Sequence, residues 1–345
     1  MLIGGFLTLS KTITYDKPFK TYDEQINILI SRNINIPDRE FARMVLGSLS
    51  YYTIINGYKN TFLSVSGTDN FIDGTNFNDL YTLHMIDTNI NSIVLKNILF
   101  IEQYLKTRIA YLVSQQYGVY TDPFDTSNRN PCDYLFRDNY SRSNKGRNNI
   151  LIQLKGTLTS DRINDSVAHY TSIKNHIPPW ILVTNITFGL TIKWYNILSS
   201  SDKARICSEF LPTPDLSVDE KKEFISISLD LLRRYRNKIA HGNRVFNLSD
   251  LPVLPKKQLL NLSHNVLSQN EYNKNIGKSD LFAVILTCFI LIDNRYILTN
   301  FMSDLMYTLN PYTNIRMNGK SILEILGLPN DLFDRLDTLH KQRFS

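Results

Sequence analysis

The chain has little of what would mark a secreted scaffold, a linker or a membrane protein. Its three cysteines, Cys132, Cys207 and Cys288, are odd in number and widely spaced over 345 residues. That pattern excludes a disulfide framework and a cysteine zinc knuckle, and it points to a reducing compartment, the cytoplasm. Fourteen glycines and twelve prolines are too few for a collagen or a low-complexity tail. No apolar run approaches the ~18 residues that a membrane span needs; the most apolar one, 281–292, gives way at once to Asp293, Asn294 and Arg295. Residues 1–9 carry no basic n-region and no small-residue cleavage signal before Lys11, so they read as a buried segment, not an export signal. Missing too are a glycine-rich phosphate loop, a Gly-x-Ser-x-Gly elbow, and any His-x-x-x-His or paired-aspartate motif that would set metal ligands on one helix face. No cofactor and no metal is expected.

What is present is the composition of a compact globule: 43% hydrophobic and 20% charged residues, with 19 Tyr and 18 Phe. The net charge of +6 is mild, but its distribution is not even. Residues 126–175 hold eight basic side chains (Arg129, Arg137, Arg142, Lys145, Arg147, Lys155, Arg162, Lys174) against four acidic ones, a balance of +4. Residues 231–244 hold Arg233, Arg234, Arg236, Lys238 and Arg244 with no acid, a balance of +5, which leaves the remainder of the chain at −3. Concentrated positive charge is the footprint of a polyanion site.

Apolar spacing predicts helices over 22–32 and 38–56, the second capped by Asp38 after Pro37. A turn-rich stretch over 64–78 follows, and then one or two long core helices from Asn78 to about Gln116, ending before Gly118. Residues 121–149 turn polar and aperiodic, which predicts a long loop or an excursion off the core. Helices are expected at roughly 184–198 and 202–210, with two or three more in 255–345 and no strand pattern. The fold class is all-α. The organisation expected is an N-terminal helical unit at 1–70, a helical domain at 71–250 with a polar basic excursion at about 121–175, and a C-terminal helical extension at 251–345.

The most legible element is a helix from about Val218 to His241. Ser217 and Glu220 form a capping box at its start, and Gly242 supplies the stop. Phe224, Ile227, Leu231, Tyr235 and Ile239 fall on one stripe, whereas Arg233, Asn237 and His241 line up at i, i+4, i+8 on the other side with Arg236 beside them. Two arginines, an amide and an imidazole facing outward suit a phosphate. Arg236 stays protonated and forks onto phosphate oxygens, so it holds and neutralises a phosphodiester without acting as base. His241 moves protons near neutral pH: the helix dipole favours its imidazolium and the neighbouring arginines oppose it. Asn237, one turn earlier, orients the imidazole or the substrate. The bland reading of the same residues is an ordinary basic last turn before a terminating glycine, and Arg–His pairs at similar spacing recur at Arg162–His169 and Arg335–His340.

The run Arg236-Asn237-Lys238-Ile239-Ala240-His241 resembles the Arg-Asn-x-x-x-His signature of the HEPN superfamily, whose catalytic members are metal-independent ribonucleases. Asp23 to Ile26, Ser50-Tyr51-Tyr52 with Asn56-Gly57-Tyr58, Leu83 to Asp87, Ile101-Glu102 with Arg108, His169-Tyr170, Pro178-Pro179-Trp180, Phe188-Gly189-Leu190 and Asn243 to Asn247 occur in the order found in the AbiD/AbiF (Abi-like) family of bacterial abortive-infection proteins. The similarity spans roughly residues 15 to 250. It implies a HEPN-type helical bundle in which two copies face each other and share a cleft, RNA cleavage leaving a cyclic phosphate, and toxicity that limits phage spread, as in toxin–antitoxin systems. Some members are linked with a structured small RNA that restrains them. Where relatives often carry two adjacent histidines this chain has His241-Gly242, so any role of the second is absent.

The candidate site is therefore Arg236, Asn237 and His241 for catalysis, with Arg233, Arg234, Lys238, Arg244, Arg137, Arg142, Lys145 and Arg147 as RNA contacts. Glu102 and Arg108, with Asp87 before them on the same predicted helix, stand behind them, either positioning Arg236 or His241 or forming a structural ion pair or a solvated face. His169 is open between RNA contact and a helix-end hydrogen bond. Trp180 reads as a wedge in the core and is left out of the site. The expected partners are RNA and a second copy of the chain, with no membrane. The competing reading, from a different class, is a catalytically silent helical module that binds RNA or a protein.

Overall fold

The computed structural model describes residues 16–240, 242, 244, 248 and 250–344. The segment 1–9, read above as buried, lies outside the described residues. The chain forms two compact units, Met1–His84 and Met85–Ser345.

In the first unit α1 (Tyr22–Ser31) opens on a capping box. The Thr21 hydroxyl accepts from the Glu24 N–H, and the Glu24 carboxylate accepts from the Thr21 N–H at 2.7 Å. The α2 helix (Arg39–Tyr51) begins at Asp38, whose carboxylate accepts from the Phe41 N–H at 2.9 Å. The helix expected to continue to residue 56 breaks at Ser50, where φ is 62°. The reason is local: the Ser50 hydroxyl accepts from the Thr53 N–H at 3.3 Å and so caps a fresh turn, which runs as a π-helical stretch over Tyr52–Asn56. The first residues of α3 (Phe77–Tyr117) belong here.

From residue 85 onward α3 belongs to the second unit and keeps one buried face over its length. Ile86, Ile90, Val94, Ile98, Ile101, Leu105, Ile109 and Leu112 are all shielded, at the spacing their sequence predicts. Gly118 at φ 84° ends the helix. There follow α4 (Arg147–Thr159), α5 (Asp165–Ile173), the single turn α6 (Pro179–Leu182), α7 (Phe188–Ile197), α8 (Ser200–Phe210) and α9 (Val218–Ala240). The helix expected from 184 starts instead at Thr187, whose hydroxyl accepts from the Leu190 N–H at 3.2 Å after an extended Ile186. Beyond α9 come α10 (Lys256–Leu262), α11 (Gln269–Asn273), α12 (Leu281–Leu291), α13 (Arg295–Leu309), α14 (Ile322–Leu326) and α15 (Leu332–Arg343). The two or three helices expected in this region are thus six among the described residues. A small hairpin, β1 (Arg316–Met317) with β2 (Lys320–Ser321), also appears there, turned by Asn318 and Gly319 at positive φ.

The apolar run at 281–292 is α12, and every one of its eleven residues is buried. A helix that is apolar all round belongs in a core, and this one packs on α9. No helix among the described residues is long and apolar enough to cross a membrane.

Residues 121–149, expected as a long loop or an excursion off the core, are a mostly irregular stretch up to α4, and it is pinned to the core. Trp194 Nε1 donates to the Tyr140 hydroxyl at 3.1 Å, Tyr140 donates to the Tyr134 carbonyl at 3.0 Å, and Tyr134 donates to the Ile177 carbonyl at 3.1 Å. All three rings are buried. Beneath them Lys155 reaches from α4 to Asp133 at 2.7 Å and to the Asp125 carbonyl at 2.7 Å, with both charged side chains fully shielded. Polar sequence here reflects a coil held by buried polar bonds, which hydrophobic period does not reveal.

Candidate functional site

The α9 helix is built as its sequence dictates. Ser217 Oγ accepts from the Glu220 N–H at 3.3 Å, and the Ser217 N–H and hydroxyl both donate to the Glu220 carboxylate at 2.9 Å. Lys257 adds a contact to the same carboxylate, and the Lys257 and Ser217 bonds together hold Glu220 down at a pKa of about 2. At the other end Gly242 takes φ 77° and its N–H bonds to the Ile239 carbonyl at 2.9 Å. His241, with Asn243 and residues 245–247, lies outside the described residues.

This helix is more enclosed than its apolar stripe alone implies. It packs against α7, α8, α10 and α12. Phe224, Leu231 and Tyr235 of the stripe are buried, and so are Ile225, Ser228, Leu229 and Leu232 beside it. Arg233, Arg236 and Asn237, expected as an outward-facing group, are half-exposed, because neighbouring elements flank them on both sides. Gly189 of α7 is one such neighbour: a side chain there would start 3.8 Å from Arg233 Cδ.

Arg236 holds the most reactive-looking arrangement of the group. Its Nη1 donates to Asn237 Oδ1 at 3.3 Å, its Nε is enclosed without an acceptor, and its Nη2 makes no hydrogen bond among the described residues. A guanidinium has five donors and no acceptor, so an arginine with one donor committed keeps a fork for an anion. Asn237, having given its carbonyl to Arg236, keeps its NH₂ as a donor. On the preceding residue, the Tyr235 hydroxyl is fully buried and has no hydrogen-bond partner among the described residues. Burial first, then the nearby charges of Asp87 and Cys288, pushes that phenol's pKa up. Tyr235 therefore keeps its proton. Asp87 of α3 is a buried carboxylate close enough to the Tyr235 hydroxyl to act on it electrostatically.

The basic set along α9 is not free. Arg233 reaches Asp230 Oδ1 with Nε at 3.1 Å, and Arg234 Nε reaches Asp230 Oδ2 at 2.9 Å and its Nη1 the Asp250 carbonyl at 3.3 Å. Asp230 sits one residue outside the acid-free window 231–244, at i−3 and i−4 from the two arginines, the spacing at which helix side chains meet. Lys238 and Arg244 are half-exposed and each is engaged with a partner. Arg236 alone among the arginines of α9 has no acidic partner among the described residues.

The two residues placed behind the site go elsewhere. Glu102 pairs with Lys106 at 2.8 Å, and both side chains are nearly buried. Arg108 reaches Glu209 at 3.4 Å and stacks over the Phe210 ring at 4.3 Å, both on α8. Neither bonds to Arg236 among the described residues. The α8 helix that Arg108 touches is one that α9 packs against.

The second basic cluster divides in two. Arg147 is committed to the Tyr140 carbonyl at 3.0 Å and to Asp138 at 3.3 Å, and Arg137 approaches the same carboxylate at 3.7 Å. Lys155, counted in the +4, is neutralised inside the core. Arg142 and Lys145 are exposed, without ion-pair partners among the described residues. His169 is exposed, its ring against Tyr170 with centroids 5.9 Å apart. Trp180 is not the expected core wedge: the indole stays half in solvent, and Trp194 fills the core instead. Among the described residues no group of three or more His, Cys, Asp or Glu side chains is placed to hold a metal ion.

A family model, that of the Abi-like proteins, matches residues 44–247, more than half of the chain. The match takes in α3 to α9 and stops before α10. No curated protein and no solved structure matches.

Proposed function

The chain belongs to the Abi-like protein family, and from that premise we propose that it is an abortive-infection toxin of anti-phage defence, a HEPN-type ribonuclease that acts as a homodimer without a metal. The observation that carries the reading is Arg236: an arginine with Nη2 uncommitted and no acidic partner among the described residues, one residue before Asn237, on the helix whose next residue after Ala240 is His241. Family membership supports the defence role, and the Arg-Asn-x-x-x-His run supports the chemistry.

In that chemistry the 2′-oxygen of the RNA bonds to phosphorus as the bond from phosphorus to the 5′-oxygen breaks. One imidazole takes the 2′-hydroxyl proton and a second gives a proton to the leaving 5′-oxygen. Arg236 neutralises the charge that builds on the phosphorus oxygens, and Asn237 donates to the phosphate or to the imidazole. The step benefits from a base for the 2′-hydroxyl and a separate acid for the leaving 5′-oxygen, and with one His241 per chain two chains facing each other supply the pair. The half-buried setting makes Arg236 worth more than it would be in open water. A structured small RNA restraining the toxin by covering this surface is part of the same proposal.

The test is expression of His241→Ala beside the wild type in the same host. Loss of toxicity and of RNA cleavage, with helix content unchanged by circular dichroism, is expected. A His241→Ala protein that binds RNA as tightly as wild type yet never differed from it in toxicity moves the chain to the silent RNA-binding class.

A further inference from the structure

A cleft of the second unit, about 600 Å³, has none of its described lining residues on α9. It lies between α3 and the turn formed by α6 with the short 3-10 stretch Val183–Asn185. Its walls are two aromatic rings and two carboxamides: Trp180 and Tyr111 on the rims, Gln103 and Gln115 beside them, with Ala110 and Val183 as floor. Trp180 is 48% exposed and Tyr111 64%, an arrangement that leaves two large apolar faces open to solvent. None of the lining residues carries a formal charge.

The polar groups are available. Gln115 makes no hydrogen bond among the described residues, and Gln103 uses only its Nε2, toward Thr107 at 3.3 Å, keeping its Oε1 as an acceptor. Flat faces for stacking with amide donors and acceptors at the edge fit a planar, uncharged, hydrogen-bonding heterocycle. Carboxamides are the side chains that pair with a base edge in both directions. A helix docking on this surface would look for aliphatic anchors, and here aliphatic groups form only the floor. Helix α5 packs on α6, and the stretch 166–176 has no acid but carries Lys174, exposed and without an ion-pair partner among the described residues, and exposed His169.

We infer that this cleft holds an unpaired nucleobase of the RNA, stacked on Trp180 and Tyr111 and read at its edge by Gln115 and Gln103. The inference rests on the RNA reading given above. It places a base-recognition pocket apart from the α9 phosphate site. Thr184 at the cleft and Gly189, against Arg233, are five residues apart, so at most about 18 Å of chain separates them. That is about five nucleotides at about 3.4 Å per nucleotide. A short single strand is long enough to span that separation.

Trp180 and Trp194 are the two tryptophans of the chain, and Trp194 is fully buried, so Trp180 is its own reporter. The full-length protein carrying His241→Ala is titrated with ten-nucleotide homopolymers of A, C, G and U, following tryptophan emission and, independently, binding by anisotropy. Quenching of the exposed component is expected, absent in Trp180→Phe. Trp180→Ala should weaken binding about 5- to 150-fold for every homopolymer, and Gln115→Ala should change their ranking. RNA that binds with unaltered emission and with unaltered affinity for Trp180→Ala overturns the pocket and leaves the ribonuclease reading standing. No binding by any RNA overturns both. Unaltered RNA affinity together with loss of a bound protein in Trp180→Ala assigns the cleft to a protein partner and overturns the inference.

Discussion

Asp230 decides how much of the charge on α9 reaches a ligand. One carboxylate holds two guanidiniums, so the +5 read from residues 231–244 is not what an RNA meets. Replacing Asp230 by Asn should release Arg233 and Arg234 and steepen the salt dependence of RNA binding by about 0.7 to 0.9 in log–log slope for each new phosphate contact. An unchanged slope over two or three salt concentrations means the arginines stay folded onto the helix. Lys155 and Asp133 are a different case, since both charges are out of solvent. Lys155→Met leaves a carboxylate buried and unpaired, which should cost about 3–5 kcal/mol of stability by denaturant unfolding, and Asp133→Leu added to it should recover part of the loss. Equal stability of the single mutant and wild type would show that water reaches the pair.

Among the elements, α9 was fully legible. Ser217, Glu220 and Gly242 bracket it in the sequence, and the helix starts and stops where they say. Caps are local, so local sequence reveals them. The stretch 121–149 was not legible, because its anchors are a Trp–Tyr–Tyr relay and a lysine–aspartate pair whose partners lie 6 to 54 residues apart. The same holds for the approach of Asp87 to Tyr235, which only the packing of the core brings about. The capping carboxylates make a pH prediction. Glu220 is held to about 2 by Lys257 and Ser217, and Glu271, which caps α11, is held to about 2 by Arg335 and Ser268. A carboxylate depressed in the folded state stabilises fully above its unfolded value near 4.5 and loses that contribution as pH falls toward 2. The melting temperature should therefore drop between about pH 4.5 and 2, and Glu271→Gln should flatten that drop. In the basic coil, the exposed pair Arg142 and Lys145 is the part able to grip RNA. Changing both to Ser should lower the salt slope by about 1.4 to 1.8, whereas Arg147→Ser should act on stability.

At the scale of the molecule, the helices α10 to α15 lie beyond the family match yet α10 and α12 pack directly on α9. In the proposed dimer a second copy, related by a two-fold axis and presenting its own α9 end, would complete an acid and a base from one histidine per chain. Light scattering should find a dimer, alone or with RNA; a protein that cleaves as a monomer in both conditions contradicts the shared site. The most direct measurement of the central claim is the chemistry of the ends. Purified protein is incubated with RNA in EDTA, and the products of wild type, Arg236→Ala and His241→Ala are resolved by mass spectrometry. Wild type should leave 2′,3′-cyclic phosphate and 5′-hydroxyl ends, and both variants should leave the RNA intact. Cleavage that requires magnesium, or that persists undiminished in His241→Ala, would contradict the account.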